Sequence, residues 1–378
     1  MKDDLDEDYY SDLEVIVNNA MKHVSDRTGK YLHNLCKLGD KNPDEDTLQK
    51  IIDNVPSSLS YEDADGWLPI FSAVRSKDSI QYLPLLAKEG VKHNVGGDDA
   101  RGGLLGNDAR GGLIGDDNVL YRLAFVNGDI ENAELLYLDV MKQLRKSNLL
   151  LREDIQDHDL FYWACQPLAP PRFEFLAGWC PEGLKTYRYR GLPIIHAIIE
   201  YCSCSFSLST FLMAALRYHP NDLGLLFLKD DEGQTACERA FKKYGQNETM
   251  SAIGELIPFD DPKVPILHHV AKHAPQCMKD FACRYLSASY FRDSQGRTLH
   301  QSMLASGNKT FIDDPMFFLA GMSDDQVREV DPGSDLYPFM AAASGETCDL
   351  SAVYVLLKRN PSLAHRNKPK RRRKRKRK

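Results

Sequence analysis

The densest group of side chains able to hold a metal is His268, His269, His273 and Cys277. On one helix, His269, His273 and Cys277 would share a face at a spacing of four, which is geometry a zinc site can use. Pro275 interrupts that helix and no second cluster supplies a fourth ligand, so a structural role and no metal are expected. Cys202 and Cys204, two residues apart, would share a face only on a strand. The surrounding residues favour a helix, so both are expected to be buried as small apolar groups. The pairs Asp260-Asp261, Asp313-Asp314 and Asp324-Asp325 stand beside Pro or Ser, where carboxylates cap helices and support turns. The chain contains no Gly-x-Ser-x-Gly elbow, phosphate loop, His-Glu-x-x-His helix or dinucleotide glycine fingerprint. No catalysis and no cofactor are expected. An enzyme with an unrecognised site is the remote alternative, and it predicts a closed pocket lined by titratable groups with displaced pKa values.

Two segments carry unusual composition. Asp99-Ala100-Arg101-Gly102-Gly103-Leu104-Leu105-Gly106-Asn107 is followed directly by Asp108-Ala109-Arg110-Gly111-Gly112-Leu113-Ile114-Gly115-Asp116, inside a Gly-rich insertion at 96–117. Nonapeptides with paired Gly and Asp build calcium-binding β-rolls, but two copies with a displaced Gly fit a duplicated flexible loop that buries no core. The second segment is Lys368-Pro369-Lys370-Arg371-Arg372-Arg373-Lys374-Arg375-Lys376-Arg377-Lys378, with ten basic residues and no acid. Self-repulsion predicts a disordered, solvated tail over 366–378. The run looks like a single-cluster nuclear-localisation signal, which an import receptor reads with an acidic groove. Nucleic-acid phosphate is the alternative ligand, bound without base stacking because no aromatic residue interleaves the run. An anionic membrane surface, the chain's own acidic start at Asp3 to Glu14, and a solubilising end are further readings.

The elements behind these residues are those of a folded body. Of 378 residues, 43% are hydrophobic and 27% charged, which excludes disorder over most of the length. The net charge of -6 conceals a polarity, because outside the basic run the chain carries 38 basic against 54 acidic residues. Met1 to Glu7 lacks the basic-then-apolar pattern of a secretory signal, so the expected location is intracellular, in the nucleus or alternatively the cytoplasm. The nine scattered cysteines are then expected to be reduced and buried. Leu192 to Leu216 is the longest weakly charged stretch. It is interrupted by Glu200 and by Cys202 to Ser205, and mean hydropathy is -0.42, so it reads as two core helices and no membrane span.

A seven-residue motif recurs. Leu68-Pro69-Ile70-Phe71-Ser72-Ala73-Val74, Leu192-Pro193-Ile194-Ile195-His196-Ala197-Ile198 and Val264-Pro265-Ile266-Leu267-His268-His269-Val270 align without gaps. Tyr337-Pro338-Phe339-Met340-Ala341-Ala342-Ala343 keeps the pattern, and Gly233-Gln234-Thr235-Ala236 to Ala240 and Gly296-Arg297-Thr298-Leu299-His300 keep parts of it. Leu120 to Ala124 and Leu160 to Ala164 are weaker copies. The anchors Pro69, Leu120, Leu160, Pro193, Ala236, Pro265, Thr298 and Pro338 are mostly separated by roughly 30 to 43 residues, the length of a helix-turn-helix repeat. Pro is tolerated at the first helical position because its missing N–H would be unpaired there, and the small residue four positions later permits close helix approach. Second helices are predicted at Ile80 to Lys88, Glu131 to Leu144, Phe173 to Ala177 and Ser351 to Lys358, and Pro56, Pro181 and Pro361 are expected to stop helices.

Asp65-Gly66-Trp67-Leu68-Pro69-Ile70-Phe71-Ser72-Ala73 with Leu85-Leu86 and Gly90 resembles the ankyrin repeat, in which Gly precedes a Thr-Pro-Leu-His-x-Ala helix start. Leu68 and Phe71 stand where that family has Thr and His, and Thr235, Thr298 and His300 recover them elsewhere. The resemblance spans about Ile51 to Leu363. It implies an all-α solenoid of irregular helix-turn-helix units over 61–365, capped by the segment 1–60, with linker lengths that predict a bent or interrupted stack. Another α-solenoid, or a non-repeating helical domain, is the competing fold. The resemblance also implies a non-enzymatic scaffold that binds a protein partner through an elongated surface, with Trp67, Trp163, Tyr187 and Tyr189 as aromatic anchors.

Overall fold

Proline or a capping hydroxyl sets the start of several short helices in this chain, and apolar residues three and four apart set which face each one buries. The computed structural model describes residues 3–38, 44–95, 97, 100–105, 118–125, 133–165, 170–257, 266–285, 289–306, 322–344, 348 and 350–365. Pro265, the pairs Asp260-Asp261 and Asp313-Asp314, the second nonapeptide copy and the run Lys368 to Lys378 lie outside those residues. Among the described residues helix accounts for 71% and strand for 2%, as the expected all-α class requires. The chain divides into two compact units, 1–198 and 199–378, within the stretch that the sequence reads as one series of repeats.

In the first unit, α1 (Asp3–Leu38) lays Gly29, Leu32, His33 and Cys36 onto a 3-10 turn at Pro56–Ser60 and onto α3 (Pro69–Val74). Gly29 is required at this contact, because a Cβ there would collide with Tyr61. Between them, α2 (Glu45–Asn54) starts at Asp44, whose carboxylate accepts the Thr47 N–H at 2.7 Å. After α3 come α4 (Leu83–Lys92), α5 (Ala100–Leu105), α6 (Val119–Ala124), α7 (Ala133–Lys146), α8 (Asp154–Asp157), α9 (Leu160–Cys165), α10 (Pro170–Trp179) and α11 (Gly183–Thr186). The short first helices α3, α6 and α9 pack in succession, and the longer second helices α4, α7 and α10 form a parallel series beside them. A hairpin of β1 (Arg188–Tyr189) and β2 (Leu192–Pro193) follows, turning through Arg190 and Gly191 at φ 50° and 82°. It leads into α12 (Ile194–Tyr201), within which the division between units falls. Pro193 therefore ends a strand, and the helix begins one residue later than the motif predicts.

The first nonapeptide copy departs from expectation. Its residues 100–105 are helical as α5, and Leu104 and Leu105 are fully buried against α4, where Gly90 leaves room for Leu104. Arg101 of the same copy binds both oxygens of Asp154, at 3.0 and 2.9 Å. Two adjacent leucines supply the burial that a glycine-rich loop was expected to lack.

In the second unit, α13 (Phe206–Tyr218) is folded back on by a 3-10 segment at Pro220–Leu225, and α14 (Ala236–Tyr244), α15 (Gln246–Gly254), α16 (Ile266–His273), α17 (Met278–Arg284), α18 (Leu299–Ala305), α19 (Asp324–Val327), α20 (Pro338–Ala343) and α21 (Leu350–Arg359) follow. Here α16, α18 and α20 pack in succession. The last core joins Met322, Val327, Tyr337, Ala342, Ala352, Leu356 and Leu363. Pro56 and Pro361 open 3-10 turns beyond their helices, where the sequence predicted only a stop. Among the described residues, no helix is long and apolar enough to cross a membrane. Six cysteines are buried, but Cys204, Cys283 and Cys348 are exposed. Cys202 and Cys204 both lie on the connection between α12 and α13 and not on a helix, and of the two only Cys202 is buried.

Candidate functional site

The recurring unit is organised by an aspartate that the motif did not include. Asp63 Oδ1 accepts the N–H groups of Asp65 and Trp67, both at 2.9 Å. Asp230 Oδ1 accepts those of Glu232 (3.0 Å) and Gln234 (2.9 Å), and Asp293 Oδ1 those of Gln295 (2.8 Å) and Arg297 (2.9 Å). In each case the third residue after the aspartate is a glycine in the left-handed region, Gly66 (φ 76°), Gly233 (φ 81°) and Gly296 (φ 79°), whose N–H returns to the aspartate carbonyl. Asp331 builds a longer version, with its carboxylate accepting from Gly333 N and from both the N–H and hydroxyl of Ser334. The spacing Asp-x-x-Gly was present in the sequence as the signal for this turn.

Each turn delivers the chain to a helix start with nearly the same backbone. Leu68 (φ -75°, ψ 155°), Thr235 (-79°, 156°), Thr298 (-69°, 160°) and Tyr337 (-70°, 155°) are the N-caps. Two chemistries serve this one position. Pro69 and Pro338 fill the next residue without a side-chain cap, whereas Thr235 with Glu238 and Thr298 with Gln301 form reciprocal capping boxes. The register of one copy is corrected by this comparison: Leu299, not Thr298, occupies the Pro69 position, and buried His300 matches Ile70 and not Phe71. Ala73, Ala197, Ala240 and Ala342, four residues after the motif anchor, are all buried, while the Pro265 copy carries His269 there.

A donor from elsewhere in the fold grips each aspartate turn. His33 of α1 contacts the Trp67 carbonyl (3.0 Å), Ser72 Oγ (3.1 Å) and Asp63 Oδ2 (3.5 Å). Arg239 binds Asp230 Oδ2 at 2.7 Å, and Arg297 binds Asp331 Oδ1 at 2.8 Å. His268 serves the Asp293 turn differently, since its Nε2 donates to the Phe291 carbonyl (2.9 Å), two residues before the aspartate, and its Nδ1 lies 2.8 Å from Ser302 Oγ, which in turn lies 3.1 Å from Asp293 Oδ2. Ser302 stands between the imidazole and the carboxylate, so the carboxylate does not orient the ring as an acyl-transfer triad requires. Burial pushes His268 below the ordinary histidine pKa, against the opposing pull of the Phe291 carbonyl and Asp293.

Beside this network runs a groove of about 840 Å³ in the second unit, lined by Asn221, His269, Lys272, Arg292, Gln295 and Ser306 among others. Arg292, one of its lining residues, binds Glu329 through two bonds of 2.6 and 3.0 Å. His269 and His273 stack with Phe227, and burial, their mutual proximity and Lys272 all depress the His269 pKa. Cys277 sits apart on the 3-10 turn after Ala274, and the described residues contain no group of three or more metal-ligating side chains.

The expected aromatic anchors gather in the first unit. Half-buried Trp163 meets Tyr121 (4.6 Å between ring centroids), Tyr162 (4.9 Å), Phe125 (5.8 Å) and Tyr189 (6.1 Å). Tyr189 itself is buried, stacked on Tyr162 at 3.9 Å. Arg122 and Arg190 lie over the Tyr121 and Tyr189 rings at the edge of this cluster. Trp67 is separate, beneath the Arg75 guanidinium at 4.2 Å, and Tyr187 packs on Phe161 with its hydroxyl 3.3 Å from Cys180 Sγ. No protein family matches the chain, and no curated protein does so either.

Proposed function

We propose that the chain is a non-enzymatic interaction scaffold of degenerate ankyrin-like helix pairs, arranged as an irregular solenoid, that holds a protein partner on its turns and first helices. The observation that supports it most is the recurrence of one turn, with the same carboxylate-to-amide bonds at Asp63, Asp230 and Asp293 and the same N-cap backbone after each. A structure that rebuilds one turn from unlike sequences uses it to present side chains, and the turn tips Asp231, Glu232, Ser294 and Gln295 are exposed. The half-buried Trp163 cluster with its flanking arginines has the composition of an interface anchor. Lys368 to Lys378 would carry the chain into the nucleus through an import receptor.

The rival reading assigns the function to the basic run, binding the phosphate backbone of nucleic acid. Its support is ten positive charges without an acid among them. Affinity capture on the full chain and on a chain ending at Asn367, at low and high salt, separates the two. A protein retained by both at high salt, and lost with Arg122→Glu and Arg190→Glu, supports the scaffold. Nucleic acid that is captured only by the full chain and released by salt gives the function to the tail.

A further inference from the structure

Helix α1 carries two apolar stripes, and the fold uses one. Leu32, His33 and Cys36, with Gly29 above them, face the body and are buried. Val17, Ala20, Val24 and Tyr31 follow spacings of three, four and seven, which align on a different line roughly 140° around the helix. All four are exposed, Val17 at 51%, Val24 at 53% and Tyr31 at 56%, and Ile16 (63%) and Met21 (67%) flank them. This is the a/d repeat of a seam between two straight helices, with Arg27 at the remaining seam position. Among the described residues none covers it.

The charge along the same helix identifies what covers the stripe. Residues 3–14 contain seven acids and no base, whereas 15–37 contain Lys22, Arg27, Lys30 and Lys37 against the single acid Asp26. A helix acidic at one end and basic at the other is complementary to itself when reversed. We infer that the exposed stripe of α1 is a homodimer interface, in which two copies pair antiparallel about a two-fold axis between Val17 and Ala20. Val17 of one copy then stands against Ala20 of the other, and 3–14 of each runs beside 23–34 of its partner. Because the body is attached at the Gly29 to Cys36 end, the two bodies lie at opposite ends of the pair and do not compete for space. A parallel pair would place the two acidic ends together, and like charge disfavours it.

The test is the solution mass of the full chain by light scattering across a dilution series. The expected result is 42.8 kDa at high dilution, rising to twice that mass by about 100 μM. Val17→Glu with Val24→Glu is expected to hold the chain at the monomer mass throughout. The helical circular dichroism and thermal midpoint should stay unchanged, since both residues are more than half exposed. Lys22→Glu with Arg27→Glu and Lys30→Glu is expected to weaken dimerisation about tenfold or more, as is raising the salt concentration. A chain that remains monomeric to that concentration, or dimers that survive the double substitution, would overturn the proposal. So would dimers that tighten with salt, because screening helps only the parallel pair. A monomer that binds phosphatidylcholine vesicles through the stripe also overturns it, by assigning the stripe to a membrane surface.

Discussion

The guanidinium of Arg172, 1% exposed, lies flat against the carboxylate of Glu134, with Nε 2.9 Å from Oε1 and Nη2 2.8 Å from Oε2. Its Nη1 donates to the carbonyls of Leu123 (2.6 Å) and Ala124 (2.9 Å). The helix α6 is six residues long, so its last carbonyls have no intrahelical donors, and a side chain from α10 supplies them. One residue thereby joins α6, α7 and α10, which belong to successive helix pairs.

Removing it strands both the carbonyls and a half-buried carboxylate. Arg172→Ala is expected to destabilise the first unit by about 3–5 kcal/mol, and Glu134→Gln by less, since the amide still accepts one bond. Urea unfolding of the two variants, followed by tryptophan fluorescence, checks the order. Equal effects would mean that the carbonyl bonds contribute nothing.

At Gly233 the backbone alone decides. Its φ is 81° and a Cβ would meet nothing within 4 Å, so Gly233→Ala introduces strain without a clash. The expected loss is about 1–2 kcal/mol. Asp230→Ala unmakes the same turn from the other side. It frees two N–H groups and leaves the Arg239 guanidinium with Glu200 as its remaining carboxylate, and is expected to cost more, about 2–3 kcal/mol. Both are read as shifts in the denaturation midpoint of the second unit.

Stability should decline in mild acid. Burial is the largest influence on His33, His158, His268, His269 and His273, and it lowers the pKa of each. With folded values below the ordinary value of about 6.5, the unfolded chain binds more protons in the window between them. The histidine contribution is therefore complete above about pH 6.5 and is lost as pH falls through that window. The urea midpoint is expected to be lower at pH 5.5 than at pH 7.5. His269→Gln with His273→Gln should shrink the difference, and an unchanged difference would place the effect elsewhere.

The cysteines divide by access. Burial pushes the Cys36 thiol up to about 12 and Cys202 to about 11, and raises Cys237 well above its usual range. Iodoacetamide on the native chain is expected to label Cys204, Cys283 and Cys348, with the six buried thiols reacting only after unfolding. Peptide mapping reads the sites directly, and rapid labelling of Cys237 or Cys277 would contradict the burial.

What the sequence determined by itself was local. The starts at Pro69 and Pro338, the second helices near 80–92, 133–146 and 350–359, the buried alanines and the break in Leu192 to Leu216 all rest on interactions spanning a few residues. Even so, the register at Thr298 differs by one from the apolar motif, because a threonine cap and a proline at the following position look unalike as letters while imposing one backbone. Asp63, Asp230 and Asp293 stand three residues before each glycine, outside the apolar motif that marks the helix starts. The tertiary structure decided the rest. Arg172 meets Leu123, His268 meets Ser302, and Arg101 meets Asp154 across 49, 34 and 53 positions of chain. Such partners depend on loop lengths and on how successive helices settle against one another, and neither is encoded in the short-range periodicity of the residues concerned.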